Sequence, residues 1–331
     1  MSHSVQDTSW ETFLSLLRAG LWEQDLRLPA GPGQAEWERL LALGRGQAVM
    51  GLLLRGIAHL SGEQRPQETF SPTLQAWETA FGRARERYAR VQEALLSELA
   101  QAGLHPRVQK GSEAAKYYAA PEYRQVGDID LYLPAGEFQR ARDLFPDART
   151  AADGAAVFAR DSVTVELHPR YYDIHRPPDR LPEPGSPCGE ILLLSAHIFK
   201  HAMGFGLGCK QLCDLAVALS RLDGRYDKAE LRAALKYAGL LRWHSLLCSL
   251  LVADFGLDAS CCLPDFRPAD PERLRCIVRT SGHFSHHAKR KTATAGAFLR
   301  RLPFSLSYGP RETLATIREL ALGNLLSTRG R

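Results

Sequence analysis

The stretch VGDIDLYLP, residues 126–134, sets two carboxylates one residue apart in an otherwise apolar run that is typical of a β-strand. Successive side chains of a strand point to opposite faces. Asp128 and Asp130 are therefore expected on one face, about 6.6 Å apart along the strand. Ile129 and Leu131 would pack the opposite face into a core. Two aspartates at this spacing also occur at exposed strand ends, where they have a structural role. The neighbouring motifs are therefore needed to tell a structural pair from a metal-binding site.

Two such motifs lie on either side of this strand. Upstream, KGS (residues 110–112) follows one candidate strand and precedes a short helix, where a glycine lets the backbone approach an anion. Downstream, VTVELHPRY (residues 163–171) places Glu166 and His168 on one face of another strand. With Asp128 and Asp130, Glu166 would complete three acids on adjacent strands, which suits two divalent cations about 3.5 to 4 Å apart.

The order of elements along the chain predicts a small α/β unit between helical regions. Helical spacing of apolar residues dominates the amino-terminal part, and a long helix is predicted for about 73–102. Strands and helices then alternate through 104–172, and helical patterns return after a proline-rich crossing at 175–187. We therefore expect an α+β fold. Its predicted parts are a helical region (1–103), an α/β core (104–187) and a helical region with a basic tail (188–331).

The combined motifs resemble the nucleotidyltransferase superfamily that includes DNA polymerase β. Its pattern is a Gly-Gly or Gly-Ser turn, a helix, two acids separated by one apolar residue, and a later third acid. The chain is more similar still to the bacterial branch described as uncharacterised nucleotidyltransferase family proteins. The motifs that carry this closer resemblance are the KG turn, Tyr117, Tyr118, Arg124 before GDIDL, VELH (165–168), AHIFKHAM (196–203) and KQLCDLA (210–216).

The resemblance implies a small mixed β-sheet core and an activity. The expected reaction transfers a nucleoside monophosphate from an NTP, with ATP the expected donor, to a hydroxyl-bearing acceptor, and releases pyrophosphate. Mg²⁺ or Mn²⁺ would be the cofactor, held by Asp128, Asp130 and Glu166. The implied nucleotide-binding residues are Lys110, Gly111, Ser112 and Arg124.

The acceptor side is less specific in the sequence. His168 would point into the site or serve as a structural histidine. His197 and His201 lie four residues apart on a predicted helix with Lys200 beside them, and we interpret the three as lining the acceptor side of the cleft. Asp214 is expected to cap a helix or bridge to a partner. The acceptor could be a small molecule, a sugar, a peptide or protein, or RNA.

Two other classes of function use similar residues. Glycosyltransferases bind a nucleotide sugar through an Asp-x-Asp pair, but they place it after a nucleotide-binding α/β domain, whereas the first hundred residues here look helical. A nucleotide-binding or RNA-binding member without turnover, or one half of a toxin–antitoxin pair, would fit the loss of an acid. All three acids are present, which favours activity.

Composition gives indications about the compartment and the partners of the protein. No amino-terminal signal or membrane-spanning run is apparent, and the seven cysteines lack framework spacing, so a cytoplasmic protein with free thiols is expected. Cys209 and Cys213 could share a metal only with further ligands that the sequence does not offer. Residues 271–331 contain twelve Lys or Arg and three Glu, with HFSHHAKRK (283–291) the densest part. This segment is either a solvated basic face or a cradle for phosphate or RNA. No stacking motif accompanies the charges, so nucleic acid is a weakly supported partner.

Overall fold

A computed structural model of the chain describes residues 2–66, 70–151, 153–281 and 291–328. Its amino-terminal part is helical, as the apolar spacing predicts. Residues 34–58 form two helices rather than one, and the break lies where Ala48 adopts a positive φ of 54°. The four helices before the sheet are α1 (Ser2–Trp22), α2 (Gln34–Gly46), α3 (Met50–Ala58) and α4 (Ser71–Gln101).

A five-stranded mixed sheet forms the centre of the molecule, with strand order β1-β2-β5-β4-β3. The pair β2–β5 is parallel, and the other three pairs are antiparallel. The mixed α+β class expected from the sequence is thereby confirmed. The elements of this part are β1 (Arg107–Gln109), α5 (Gly111–Ala115), β2 (Ile129–Tyr132), α6 (Ala135–Leu144), β3 (Arg149–Thr150), β4 (Ala156–Arg160) and β5 (Val163–His168).

The parallel pairing of β2 with β5 sets the register of the polar residues. Asp130 lies beside Glu166, and His168 lies two residues further along β5 on the same face. The other face of both strands is apolar. Ile129, Leu131, Val165, Leu167 and their neighbours are buried against Val91, Leu95 and Leu99 of α4 and Ala141 of α6. These two helices thus cover the back of the sheet, and the polar face is left for other elements.

Helices after the sheet cover that polar face. They share one apolar core with α1, α2 and α3, and the indole Nε1 of Trp22 donates to the carbonyl of Phe255 at 2.7 Å. The division at residues 103 and 187 stays a prediction. The helices of this part are α7 (Pro187–Lys200), α8 (Cys209–Leu222), α9 (Lys228–Ala238), α10 (Leu241–Phe255), α11 (Glu272–Ser281), α12 (Lys291–Tyr308) and α13 (Pro310–Thr328).

The cysteines and the hydropathy of the helices can also be described. All seven cysteines are unpaired, and six of them are buried, the exception being Cys276. Among the described helices, none combines the length and apolar character needed to cross a bilayer.

Candidate active site

A cavity of about 300 Å³ lies over the polar face of the sheet. One wall comes from β2 and β5, a second from α7 and the start of α8, and a third from α13. This volume is at the lower end of the range usual for ligand pockets, about 300–1,000 Å³. The cavity brings together side chains from positions as far apart as Lys110 and Glu319.

Three potential metal ligands converge at the sheet wall. One oxygen each of Asp130 and Glu166 and a ring nitrogen of His168 all lie within 4.8 Å of one another. Asp130 is buried, whereas the side chain of Glu166 keeps 30% exposure toward the cavity. Alternation along the two strands put Asp130, Glu166 and His168 on one face, and the register brings them together.

Asp128 lines the same cavity but stands outside that group of three. Strand β2 begins at Ile129, so Asp128 precedes the regular alternation from which its direction was predicted. Its side chain is partly exposed and forms no hydrogen bond or ion pair with any described residue. Asp128 therefore contributes an uncommitted carboxylate at the edge of the cluster.

Two side chains already hold Asp130. Lys110 Nζ lies 3.0 Å and His168 Nε2 lies 2.8 Å from the same oxygen, Oδ1. Burial would raise the pKa of Asp130, but Lys110 and His168 overcome that effect and lower the pKa below its usual range. Lys110 adopts a positive φ of 49°, a conformation that costs about 1–3 kcal/mol in a residue other than glycine. The backbone is thus strained where the lysine meets the acid.

Glu166 is in the opposite electrostatic situation. Burial and the neighbouring charges of Asp130 and Asp128 raise its pKa. Crowded carboxylates of this kind are relieved by a divalent cation with oxygen ligands, which bridges them. The donor set therefore fits Mg²⁺ or Mn²⁺, with Asp130 and Glu166 as oxygen ligands and Asp128 within the same cavity.

The Gly-Ser turn is divided between two roles. Gly111 lines the cavity, and a side chain there would approach the hydroxyl of Tyr88 to 2.9 Å. The hydroxyl of Ser112 instead donates to Oε1 of Gln92 on α4 at 2.9 Å. The predicted part of Ser112 in nucleotide binding stays a prediction, and its side chain already has a partner within the protein.

Arg124 was expected to offer its charge to phosphate, and the structure gives it an internal partner. Its Nε and Nη2 each donate to one oxygen of Asp214 at 2.8 Å, and the hydroxyl of Tyr118 donates to the same acid at 2.7 Å. All three residues are buried. Asp214 is accordingly a bridging acid, and it ties α8 to the segment before β2.

A second polar network lies on the acceptor side predicted from the sequence. Lys200 Nζ lies 2.6 Å from Asp153 and 3.1 Å from Asp173, and His197 Nδ1 donates to Asp173 at 3.0 Å. Burial, with Lys110 and His201 nearby, lowers the pKa of His197 to about 3, so its ring is neutral. Asp153 and Asp173 were not predicted from the sequence, because they belong to no recognisable motif.

His201 sits one turn beyond His197, where α7 passes into a π-helical turn over His201–Phe205. The two rings are 4.4 Å apart, and His201 Nδ1 donates to the carbonyl of Gly206 at 2.7 Å. The turn does not continue as a regular helix, because Gly204 adopts a φ of 152° and a ψ of −3°. His197, Lys200 and His201 all line the cavity, and their place on the acceptor side stays a prediction.

The third wall was not foreseen from the sequence. Helix α13 contributes Glu312, Thr316 and Glu319 to the cavity, and Glu319 pairs with Arg170 at 2.7 Å. The described Lys and Arg residues after residue 270 do not line the cavity. A phosphate cradle by these residues is therefore not supported. Residues 283–290 of the HFSHHAKRK motif lie outside the described residues.

His175 links α13 to the rest of the site through its two ring nitrogens. Its Nδ1 lies 2.8 Å from Glu312 and its Nε2 lies 3.2 Å from Glu319. The two acids raise the pKa of His175 to about 9. A raised pKa means that the ion pairs stabilise the fold fully below the unfolded value of about 6.5, and that this stability is lost as the pH rises through about 9.

The pH dependence of the unfolding free energy tests whether the ion pairs of His175 with Glu312 and Glu319 stabilise the fold. From pH 6 to pH 9.5 the wild type should lose stability relative to His175→Gln, whose side chain does not titrate. The shift sets an upper limit of roughly 3 kcal/mol, and because the imidazole is 21% exposed, solvent screening reduces the expected loss to about 1 kcal/mol. Chemical denaturation across this pH range would measure it. Parallel plots of unfolding free energy against pH for the wild type and His175→Gln would contradict this role of the ion pairs.

Lys210 is a further cavity residue whose role the sequence left unassigned, although it begins the KQLCDLA motif. Its side chain is buried at the start of α8 and reaches the cavity beside Gly127. The available signal was a lysine in the first turn of a helix that is otherwise rich in apolar residues.

Comparison with known proteins bears on the family. No curated protein and no solved structure was found to match the chain. Residues 33–186 match the family described as uncharacterised nucleotidyltransferase. The matched segment runs from α2 to the end of the proline-rich crossing and includes the whole sheet, Asp128, Asp130 and Glu166. Over these residues, a little less than half of the chain, the protein is similar to the nucleotidyltransferase family that its motifs resemble.

Proposed function

We propose that this protein is a metal-dependent enzyme that transfers a nucleoside monophosphate from an NTP to a hydroxyl-bearing acceptor, with release of pyrophosphate. The observation that carries the proposal is the convergence of Asp130, Glu166 and His168 in a cavity that Asp128 also lines. The family match over residues 33–186 supports the general class of reaction.

The charge of the cavity supports a need for cations. Its described lining contains eight Asp or Glu and five Lys or Arg, a formal charge of −2 when His175, whose pKa is about 9, is counted as protonated. A polyphosphate is itself an anion, so its entry into a negative cavity requires added positive charge. Mg²⁺ or Mn²⁺ bound by Asp128, Asp130 and Glu166 would neutralise phosphate charge and lower the pKa of the acceptor hydroxyl.

In this proposal Glu166 takes the proton of the acceptor. Its carboxylate lies beside Asp130 and is partly exposed to the cavity, as a general base for a bound hydroxyl must be. In the proposed step the acceptor oxygen bonds to the α-phosphorus. The bond from that phosphorus to the bridging oxygen breaks, pyrophosphate leaves, and the hydroxyl proton passes to Glu166.

The opposite part of the cavity would hold the acceptor. His197 is neutral, with Nδ1 bonded to Asp173, so its Nε2 is an acceptor for a hydroxyl hydrogen. Lys200 is fixed by Asp153 and Asp173. Side chains that are held in this way favour an acceptor with several hydroxyl or amino groups. The buried free thiols support a reducing, cytoplasmic setting for the reaction.

The test is turnover with labelled NTPs. The purified chain would be incubated with Mg²⁺ or Mn²⁺ and each of the four NTPs, with ATP the expected donor, in the presence and absence of a cell extract. Pyrophosphate release with transfer of the nucleotide label is expected, and removal of the metal with EDTA should stop both. Pyrophosphate release that persists in EDTA would contradict the metal-dependent site.

A nucleotide-binding protein without turnover is the second candidate, and one observation favours it. Lys110 occupies Asp130 through an ion pair, which competes with a cation for the same carboxylate. Such a protein would bind the NTP and release neither pyrophosphate nor label with any acceptor fraction. Equilibrium binding measured beside turnover separates the two candidates.

A further inference from the structure

Lys210 differs from the other cations of the cavity. Lys110, Arg124, Arg170 and Lys200 each lie within 3.0 Å of a carboxylate oxygen. Lys210 is 8% exposed, and among the described residues no carboxylate lies within 4.0 Å of its ammonium group. Buried lysines are normally paired, so this one carries an uncompensated charge.

Its surroundings make that charge costly in the empty protein. Burial and the nearby guanidinium of Arg124 both act against the ammonium group, and Arg124 gives its own hydrogen bonds to Asp214. The acids that attract Lys210, Asp128 and Asp130 among them, act from beyond ion-pair distance. The fold therefore buries a lysine that has no ion-pair partner among the residues that the structure describes.

Geometry shows where that cation is directed. A side chain at Gly127 would come within 2.9 Å of Lys210 Nζ, and one at Gly111 would lie 3.7 Å from the carbonyl oxygen of Asp128. Gly111 and the ammonium group of Lys210 therefore both lie close to the Gly127–Asp128 segment, which we call the Gly127–Asp128 corner of the cavity. Gly111, Gly127 and Lys210 all line the cavity that contains the acidic cluster, so the ammonium group borders space that a ligand can enter.

We propose that Lys210 is the residue that binds the polyphosphate of the nucleotide, and that Arg124 instead holds α8 to the sheet. This inference rests on the proposed function for the identity of the ligand. An anion at the Gly127–Asp128 corner would give the ammonium group the partner that the fold withholds. A lysine with a structural role would already have such a partner.

The two roles predict opposite effects of Lys210→Met, which keeps the apolar stem and removes the charge. If Lys210 binds phosphate, ligand-free Lys210→Met should unfold at a higher temperature than the ligand-free wild type, because the substitution removes a buried unpaired charge. The same role also predicts affinity for inorganic tripolyphosphate and for ATP weakened about 10- to 100-fold, the loss of one charge-assisted contact. Lys210→Arg should retain more of that affinity than Lys210→Met.

The experiment combines thermal unfolding with calorimetric titration of tripolyphosphate and ATP, each with and without Mg²⁺. Lys228→Met is the matched control, since Lys228 belongs to the neighbouring helix α9 and pairs with Asp223 at 2.8 Å. It should leave both affinities unchanged. A lowered unfolding temperature with unchanged affinity in Lys210→Met would overturn the inference.

Failure of the inference is distinguishable from failure of the proposed function. If the wild type binds polyphosphate without turnover and Lys210→Met weakens binding, Lys210 is the phosphate ligand of a binding protein. If the wild type turns over and Lys210→Met binds both probes as tightly as the wild type, the nucleotidyltransferase stands and this assignment is wrong.

Discussion

Replacing Asp128 and Asp130 together with Asn is expected to reduce nucleotidyl transfer by more than about 100-fold, since residues that only orient metal ligands already cost about 10- to 100-fold when changed. Asn keeps the shape of Asp but removes the negative charge that a divalent cation requires. The rate of pyrophosphate release at saturating NTP is the measurement. Turnover at the wild-type rate in the double variant would mean that the site lies elsewhere.

Folding of the variants needs its own control, because Asp130 also pairs with Lys110. Asp130→Asn leaves Lys110 with Asp173 at 4.0 Å, so the lysine keeps a nearby acid. The unfolding temperature of each variant should be measured beside its activity. Asp147→Asn, at an exposed acid of the same α/β region, is the matched substitution and should keep full activity.

The largest loss of stability is expected at the buried pair of Arg124 and Asp214. Asp214→Ala removes the acid that receives both guanidinium hydrogen bonds and the hydroxyl of Tyr118. It leaves a buried arginine without a counter-charge, which costs about 3–5 kcal/mol. Denaturant unfolding measures the difference. Asp265→Ala, which breaks the exposed pair with Arg232, should leave stability nearly unchanged.

A double variant separates the lost pair from the stranded charge. Arg124→Met combined with Asp214→Leu replaces the buried ions with apolar side chains of similar reach, which is often neutral for stability. It should recover most of the loss seen in Asp214→Ala. A double variant as unstable as the single one would show that the cost comes from packing at Asp214.

The acidic cluster was predictable because strand alternation is local. A period of two along each strand fixes which side chains share a face, and parallel pairing of β2 with β5 brings Asp130 beside Glu166. Asp128 shows the limit of this reasoning. It precedes the first residue of the strand, where side-chain direction depends on the loop and on Gly127.

The partners of the predicted cations were beyond the sequence, because they are contacts between distant residues. Arg124 and Asp214 are ninety positions apart, and nothing local distinguishes an arginine that waits for phosphate from one that is already paired. The same holds for Lys200, whose acids Asp153 and Asp173 come from loops. Net charge was also a poor guide, since the basic carboxyl-terminal segment presents Glu312 and Glu319 to the cavity.

The origin of the third wall has a consequence for biosynthesis. Helix α13 is the last of the described helices to leave the ribosome, and Glu312 and Glu319 close the cavity over Arg170 and His175. Earlier parts of a chain fold while later ones are still being made. In a nascent polypeptide the strands that carry the acidic cluster are therefore made before α13, the helix that encloses the cavity.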